Sequence, residues 1–234
     1  MARRPRGAAR RGEEPQLPPP TRSNREKIVE TFLALLAEQP FEKIGFGEIA
    51  ARSGLSLAEC RSEFSSTIGV LAAYVKEIDR KVLAGGEGDM AEEPPRERLF
   101  DVLMRRLETL APHRAAIRSL LRSASRNPGV AFALNGLALR SQQWMLTAAG
   151  IAASGPRGLI RAQGLALLYA RVLRVWLNDE DPGLARTLAA LDRELARGQR
   201  WAGFLDDLFR FAPRFGRRRR RERRRYGDEE SAAA

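Results

Sequence analysis

The chain reads as all-α, on three observations. Apolar residues recur every three or four positions in segment after segment, the spacing of one helix face, and no stretch alternates as a half-buried strand does. Two S-x-x-E boxes, Ser23 with Glu26 and Ser56 with Glu59, mark helix starts. In such a box the serine side chain accepts a hydrogen bond from a free backbone amide, and the glutamate reaches back to the serine's own amide. Prolines fall where segments begin, positions at which the missing amide would have had no partner.

Taken in order, the first helix starts after Ser23, sets Ile28, Phe32, Leu35 and Leu36 on one face, and ends near Gln39-Pro40. Two short helices follow within EIAARSGLSLAECRSEF (48–64). Ile49, Ala50 and Ala51 supply the first, Gly54 breaks it, Leu55 turns inward and Ser56 opens the second. Ser65 or Ser66 caps a longer helix through Val70, Leu71, Tyr74, Val75, Ile78 and Val82, and AGGEGDMAEEPP (84–95) is a hinge-like loop. The next helix enters at Pro94-Pro95 with Leu99, Val102, Leu103, Leu107 and Leu110 inward. Pro112 opens another, and Asn127-Pro128 one that runs to about Gly150. Gly155-Pro156 opens a long apolar helix, and Asp181-Pro182 opens LARTLAALDRELARG, predicted to close at Gly198. A final helix over about 199–211 places Trp201, Phe204, Leu205, Leu208 and Phe209 on one stripe.

Composition narrows the chemistry. With 234 residues, 44% hydrophobic and 30% charged, the chain can build one ordinary core or a small domain on a larger one. Cys60 and His113 are each the only residue of their type, so no internal disulfide and no Cys/His metal cluster is possible. A Ser-His-Asp arrangement would have to use His113, which reads as a helix-end residue. No catalytic group, metal or cofactor is expected. No apolar run reaches the 18–20 or so residues of a membrane span. The first residues carry charge but no apolar core of a secretory signal, so a protein of the cytoplasm or nucleoid is expected.

The net charge of +12 is concentrated at the ends. Residues 1–20 carry five arginines against Glu13 and Glu14, and residues 213–234 carry nine against four acidic residues, leaving +4 for 21–212. Both ends are disordered by composition. The basic balance favours an anionic partner without specifying which.

A capped helix, a helix–turn–helix, a connecting helix and a larger all-helical region occur here in a recognisable order. From Arg25 to about Leu83 the chain resembles the TetR family of bacterial transcription regulators, on Ile28, Phe41, Ile49-Ala50, Gly54, Ser56, Phe64, Ser66 and Leu71. The resemblance implies a TetR-like fold divided into a helix–turn–helix domain with connecting helix (21–83) and a C-terminal regulatory and dimerisation domain (94–212). It also implies a homodimer reading a two-fold site on double-stranded DNA, acting as a repressor and released by a small apolar effector. Two positions depart from the family. Arg61 stands where a tyrosine is usual, and Thr67 where a lysine is usual, both phosphate-contacting positions. Arginine can replace tyrosine there through charge-assisted hydrogen bonds, and Thr67 keeps a hydroxyl beside the free amides of a helix start. On this reading Ser56 heads the recognition helix and Leu57, Ala58, Arg61 and Ser62 face the groove. Arg25, Lys43, Arg61 and Thr67 supply backbone contacts. Cys60 packs inward as a small hydrophobe. Glu59 is accounted for by its capping box, whereas Glu63 has no role visible in the sequence. Met104, Trp144, Met145, Tyr169 and Trp176 are the candidate lining of an effector pocket.

A second resemblance lies in YARVLRVWLNDEDPGLARTLAALDREL (169–195). It is similar to the end of the ubiquinone-biosynthesis lipid-binding proteins that share the TetR fold, through a Trp-x-x-Asp helix end, an acidic Pro turn and Thr-Leu-x-x-Leu-Asp-Arg. That alternative implies a peripheral lipid- or isoprenoid-binding protein. The stripe of Trp201, Phe204, Leu205, Leu208 and Phe209, followed by RFGRRRRRERRR, would then face a membrane surface.

Overall fold

Helix α1 (Asn24–Glu38) begins where its box directs. The Ser23 side chain accepts from the Glu26 amide and the Glu26 carboxylate accepts from the Ser23 amide. The computed structural model describes residues 22–86 and 92–211, with side chains as far as Gly198. The order continues with α2 (Phe46–Ser53), α3 (Leu57–Glu63), α4 (Thr67–Ala84), α5 (Pro95–Leu110), α6 (Arg114–Arg126), α7 (Pro128–Ala148), α8 (Gly155–Trp176) and α9 (Ala185–Phe211). Short 3-10 turns lie at Phe41–Lys43 and Ala111–His113, and no strand occurs among the described residues.

One apolar core runs through all of this. Ile28, Phe32, Leu35 and Leu36 of α1 are buried, and Phe32 meets Phe41 edge-on at 6.1 Å between ring centres. Helix α1 packs on α2, α3 and α4 and, most extensively, on α6. That seam is fixed by two hydrogen bonds at the corner after α1. Ser119 Oγ donates to the Gln39 carbonyl at 2.9 Å, and the Phe41 amide donates to Ser123 Oγ at 3.0 Å. Both serines are buried, so these bonds satisfy groups that would otherwise be stranded away from water. Helix α4 buries Val70, Leu71, Tyr74, Ile78 and Val82 and packs against α1, α5 and α7.

A charged group sits inside that contact. Asp79 of α4 is buried and ion-paired with buried Arg106 of α5, and Ser141 Oγ of α7 donates to Asp79 Oδ1 at 2.7 Å. Arg106 also lies 5.7 Å from the centre of the Tyr169 ring on α8.

The corner between α8 and α9 accounts for the Trp-x-x-Asp and Thr residues. Trp176 is fully buried, with the Arg114 guanidinium 4.5 Å above its ring. Asp179 Oδ2 accepts from the Thr187 amide at 2.8 Å and from Thr187 Oγ1 at 2.7 Å, pinning the first turn of α9 back on the end of α8. These residues hold a corner together, which is a structural task.

Two sequence expectations are corrected here. Gly198 does not end a helix, because α9 continues through it to Phe211. Glycine stops a helix when it turns left-handed, and at Gly198 the missing side chain instead faces Leu168 Cδ1, which a Cβ would meet at 3.4 Å. Pro112 opens a single 3-10 turn, with α6 starting at Arg114. The expected tails, 1–20 and 213–234, and the side chains of Trp201, Phe204, Leu205, Leu208 and Phe209 lie outside the described residues. Among the described residues no helix is long and apolar enough to cross a membrane, and no cluster of acidic, His or Cys side chains could hold a metal ion.

Candidate nucleic-acid interface

The turn between α2 and α3 is built by local chemistry. Gly54 takes the left-handed conformation (φ 71°, ψ 19°), which a residue with a Cβ adopts only at a cost. The Gly54 amide donates to the Ala50 carbonyl, as does the Leu55 amide at 3.2 Å, so the end of α2 is closed by its own backbone. Ser56 then starts α3 with a reciprocal box. Its amide donates to Glu59 Oε2 at 2.8 Å, and the Glu59 amide donates to Ser56 Oγ at 3.2 Å. Cys60 is fully buried and Phe64 nearly so, anchoring the inner side of α3.

The outer side is therefore fixed by rotation. Leu57, Ala58, Arg61 and Ser62 all face solvent, Leu57 with 60% of its surface exposed. Ser62 Oγ donates back to the Glu59 carbonyl at 2.8 Å. Arg61 makes no hydrogen bond or ion pair among the described residues, so its five donors point outward uncommitted.

The acidic residues of this helix are both engaged. Glu59 accepts from Ser56 and from Asn24 Nδ2 of α1 at 3.3 Å, and these bonds hold its carboxyl below the usual range. Glu63 lies 3.7 Å from Arg25 Nη1, which also donates to the Glu63 carbonyl at 3.4 Å while its guanidinium stacks 4.4 Å over the Phe64 ring. Arg25 thus fastens the end of α3 to the start of α1. Lys43 is exposed at the end of its 3-10 turn, and Thr67 is half-buried as the first residue of α4. Asn24 and the Arg25–Glu63 pair escape a sequence reading because their partners are 35 and 38 residues away.

The charge of this unit is nearly balanced. Residues 22–66 contain six basic side chains (Arg22, Arg25, Lys27, Lys43, Arg52, Arg61) and seven glutamates, a net charge of −1. Arg52 is further neutralised by a two-pronged pairing with Glu38. Attraction toward an anion is local to Arg61 and Lys43, since Arg25 is paired with Glu63, and is not a property of the whole face.

The candidate pocket residues differ in burial. Met145, Tyr169 and Trp176 are buried in the core, Met104 is half-buried, and Trp144 is exposed on the surface of α7. The reading of Trp144 as lining is thereby corrected, since apolar spacing alone does not say which side of a helix meets the core. A groove of about 290 Å³ lies instead between α8 and α9, lined by Arg171, Val172, Val175, Ala190, Arg193, Glu194 and Arg197. Near Arg106, Tyr74 Oη and Tyr169 Oη are buried without a hydrogen-bond partner, and burial pushes both tyrosine hydroxyls well above their usual pKa.

This arrangement of helices has counterparts among solved structures. The chain is similar to a TetR transcriptional regulator from Nitrosomonas europaea ATCC 19718, at 24% identity and a TM-score of 0.59 over 76% of this chain and 99% of that one. It is similar as well to a TetR transcriptional regulator from Rhodococcus sp. RHA1, at 23% identity, TM-score 0.54, 75% of this chain and 95% of that one. A tetR-family transcriptional regulator from Streptomyces coelicolor matches at 14% identity, TM-score 0.51, 80% of this chain and 86% of that one. The chain has the TetR fold. No family model matches it, and no curated protein matches it in sequence. Helices α2 and α3, joined at Gly54, have the form of a helix–turn–helix.

Proposed function

We propose that the chain is a DNA-binding transcription regulator, acting as a homodimer on a two-fold operator and released by a small effector. The observation that carries this reading is the presentation of α3. Its inner side is locked by Cys60 and Phe64, its start by the Ser56–Glu59 box, and its outer side offers Leu57, Ala58, Arg61 and Ser62 to solvent. A rigid, protruding second helix of this kind is what enters a major groove. The names of the similar structures point the same way.

In this reading Arg61 is the principal side chain for a guanine edge or a phosphate, and Leu57 and Ala58 pack against thymine methyls. Arg25, Lys43 and Thr67 stand at the edges for phosphate oxygens. Because residues 22–66 are slightly acidic overall, few phosphates are neutralised and the specific contacts carry the affinity. Repression follows from occupancy of the operator. The connecting helix α4 places Asp79 against Arg106, so an effector that competes for Arg106, or for the unpartnered hydroxyls of Tyr74 and Tyr169, would shift α4 and with it α3.

The test is fluorescence anisotropy of residues 21–212 with duplexes from the region upstream of its own gene, beside a scrambled duplex. The native fragment should bind at least about tenfold more tightly, and Arg61→Ala should weaken it by about 1–3 kcal/mol. Equal binding of both duplexes, or an Arg61→Ala variant that binds as the parent does, would remove the assignment.

A further inference from the structure

Most of the hydrogen-bonding capacity of α3 is already spent within the protein. Both oxygens of Glu59 are occupied, Oε2 by the Ser56 amide and hydroxyl and Oε1 by Asn24 Nδ2. Glu63 is half-buried beside Arg25. Ser62 gives its hydroxyl hydrogen to the Glu59 carbonyl at 2.8 Å. The helix, LAECRSE, contains no asparagine and no glutamine. Arg61 is left as the one side chain of α3 whose donors are free among the described residues.

Apolar surface makes up the rest of the outer side. Leu57, one turn before Arg61, keeps 60% of its surface in solvent, and Ala58 beside it is exposed. Residues three and four apart share a helix face, so Leu57, Ala58 and Arg61 form one patch. Cys60, fully buried on the inner side, fixes the direction in which that patch points.

We propose that α3 reads thymine methyl groups and one guanine in each half-site, and distinguishes little else. The proposal rests on the reading of α3 as a recognition helix. The major-groove edges match these side chains by chemistry. A guanidinium takes the O6 and N7 acceptors of guanine with two hydrogen bonds, and an apolar side chain packs on the C5 methyl of thymine. Adenine is read by the amide of asparagine or glutamine, and cytosine by a free carboxylate. Helix α3 has no such amide, and both of its carboxylates are engaged. A phosphate is the other partner open to a guanidinium. Arg61 is assigned to a base because it shares its face with Leu57, and the orientation that brings Leu57 to the methyls brings Arg61 to the base edges. The rise of four helical residues, about 6 Å, spans about two base-pair steps. Each half-site therefore holds a guanine within about two base pairs of a thymine, on either strand.

The experiment selects duplexes from a random pool with the full chain at physiological salt, then alters single groups in the selected sequence. Uracil in place of the contacted thymine removes the C5 methyl and should weaken binding about fourfold. Leu57→Ala should bind the thymine and uracil duplexes alike. 7-Deazaguanine removes the N7 acceptor and should weaken the parent about threefold or more, with no effect on Arg61→Ala. Arg61→Ala should also keep the salt dependence of the parent, since a lost phosphate contact lowers that slope by about one. A selected duplex whose uracil and 7-deazaguanine forms bind as tightly as the unmodified one overturns the proposal while leaving α3 a DNA-binding helix. So does an Arg61→Ala variant with a lowered slope and the same selected sequence. A pool that yields no enriched sequence removes the reading of α3 itself, and the proposal with it.

Discussion

Replacing Arg106 with methionine tests how tightly α4 is bound to the C-terminal helices. The guanidinium and its partner Asp79 retain only 8% and 10% side-chain exposure, so removing the cation leaves a carboxylate in a largely dry site. Breaking a buried pair from one side costs about 3–5 kcal/mol. The Ser141 hydroxyl still donates to Asp79, which places the expected loss near the lower end, about 3 kcal/mol. Urea unfolding followed by circular dichroism, at fixed protein concentration, should show the midpoint falling with little change in slope. The double variant D79L/R106M removes both charges, and it should recover at least about 2 kcal/mol relative to R106M alone. An R106M protein within about 1 kcal/mol of the parent would show that this pair does not hold α4 in place, and would remove the basis for coupling α4 to an effector.

Three further outcomes follow from particular side chains. Ser56→Ala deletes the acceptor at the start of α3 and should cost about 1 kcal/mol, read as a lowered melting temperature. Gly158→Ala should destabilise by about 1–3 kcal/mol or prevent folding, because the added Cβ would collide with the backbone carbonyl of Ala153; a melting temperature equal to the parent's would contradict that packing. His113 is half-buried, edge-on to Tyr74 at 5.3 Å, and burial, followed by nearby Lys81, pushes its pKa below 6.5. The folded state thus favours neutral imidazole, so stability should hold above about pH 6.5 and decline as the pH falls toward the depressed folded value. His113→Gln should flatten that decline in urea titrations, while carboxylates such as Asp179, held low by Thr187, lose their contribution only below about 3.8.

What the sequence makes legible is mostly local. The boxes at Ser23 and Ser56 are written within four residues, and Gly54 ends α2 by a conformation that glycine favours, so both helix starts and the turn can be read directly. Cys60 inward and Arg61 outward follow from the rotation those caps impose. Distance in the chain hides the rest. Glu63 looks misplaced in a phosphate-facing helix until Arg25, on another helix, is brought beside it. Trp144 and Trp176 share an apolar spacing, yet one is exposed and the other fully buried, because periodicity identifies a face without naming its neighbour. Gly198 reads as a stop in the sequence, yet α9 runs through it, because a glycine ends a helix only when its backbone turns left-handed and its letter does not say whether it does. The Trp176, Asp179 and Thr187 residues that resemble part of a lipid-binding family form a corner of the fold, so their presence alone does not separate the two readings.

The most direct test of the central claim, that α3 lies in a major groove, is hydroxyl-radical footprinting of the region upstream of its own gene with residues 21–212 at physiological salt. The account predicts two protected half-sites related by two-fold symmetry, centred about one helical turn or a multiple of it apart, and lost together in Arg61→Ala. Protection without symmetry, protection that vanishes at that salt, or a footprint unchanged in Arg61→Ala would show that the helix–turn–helix persists here as architecture alone.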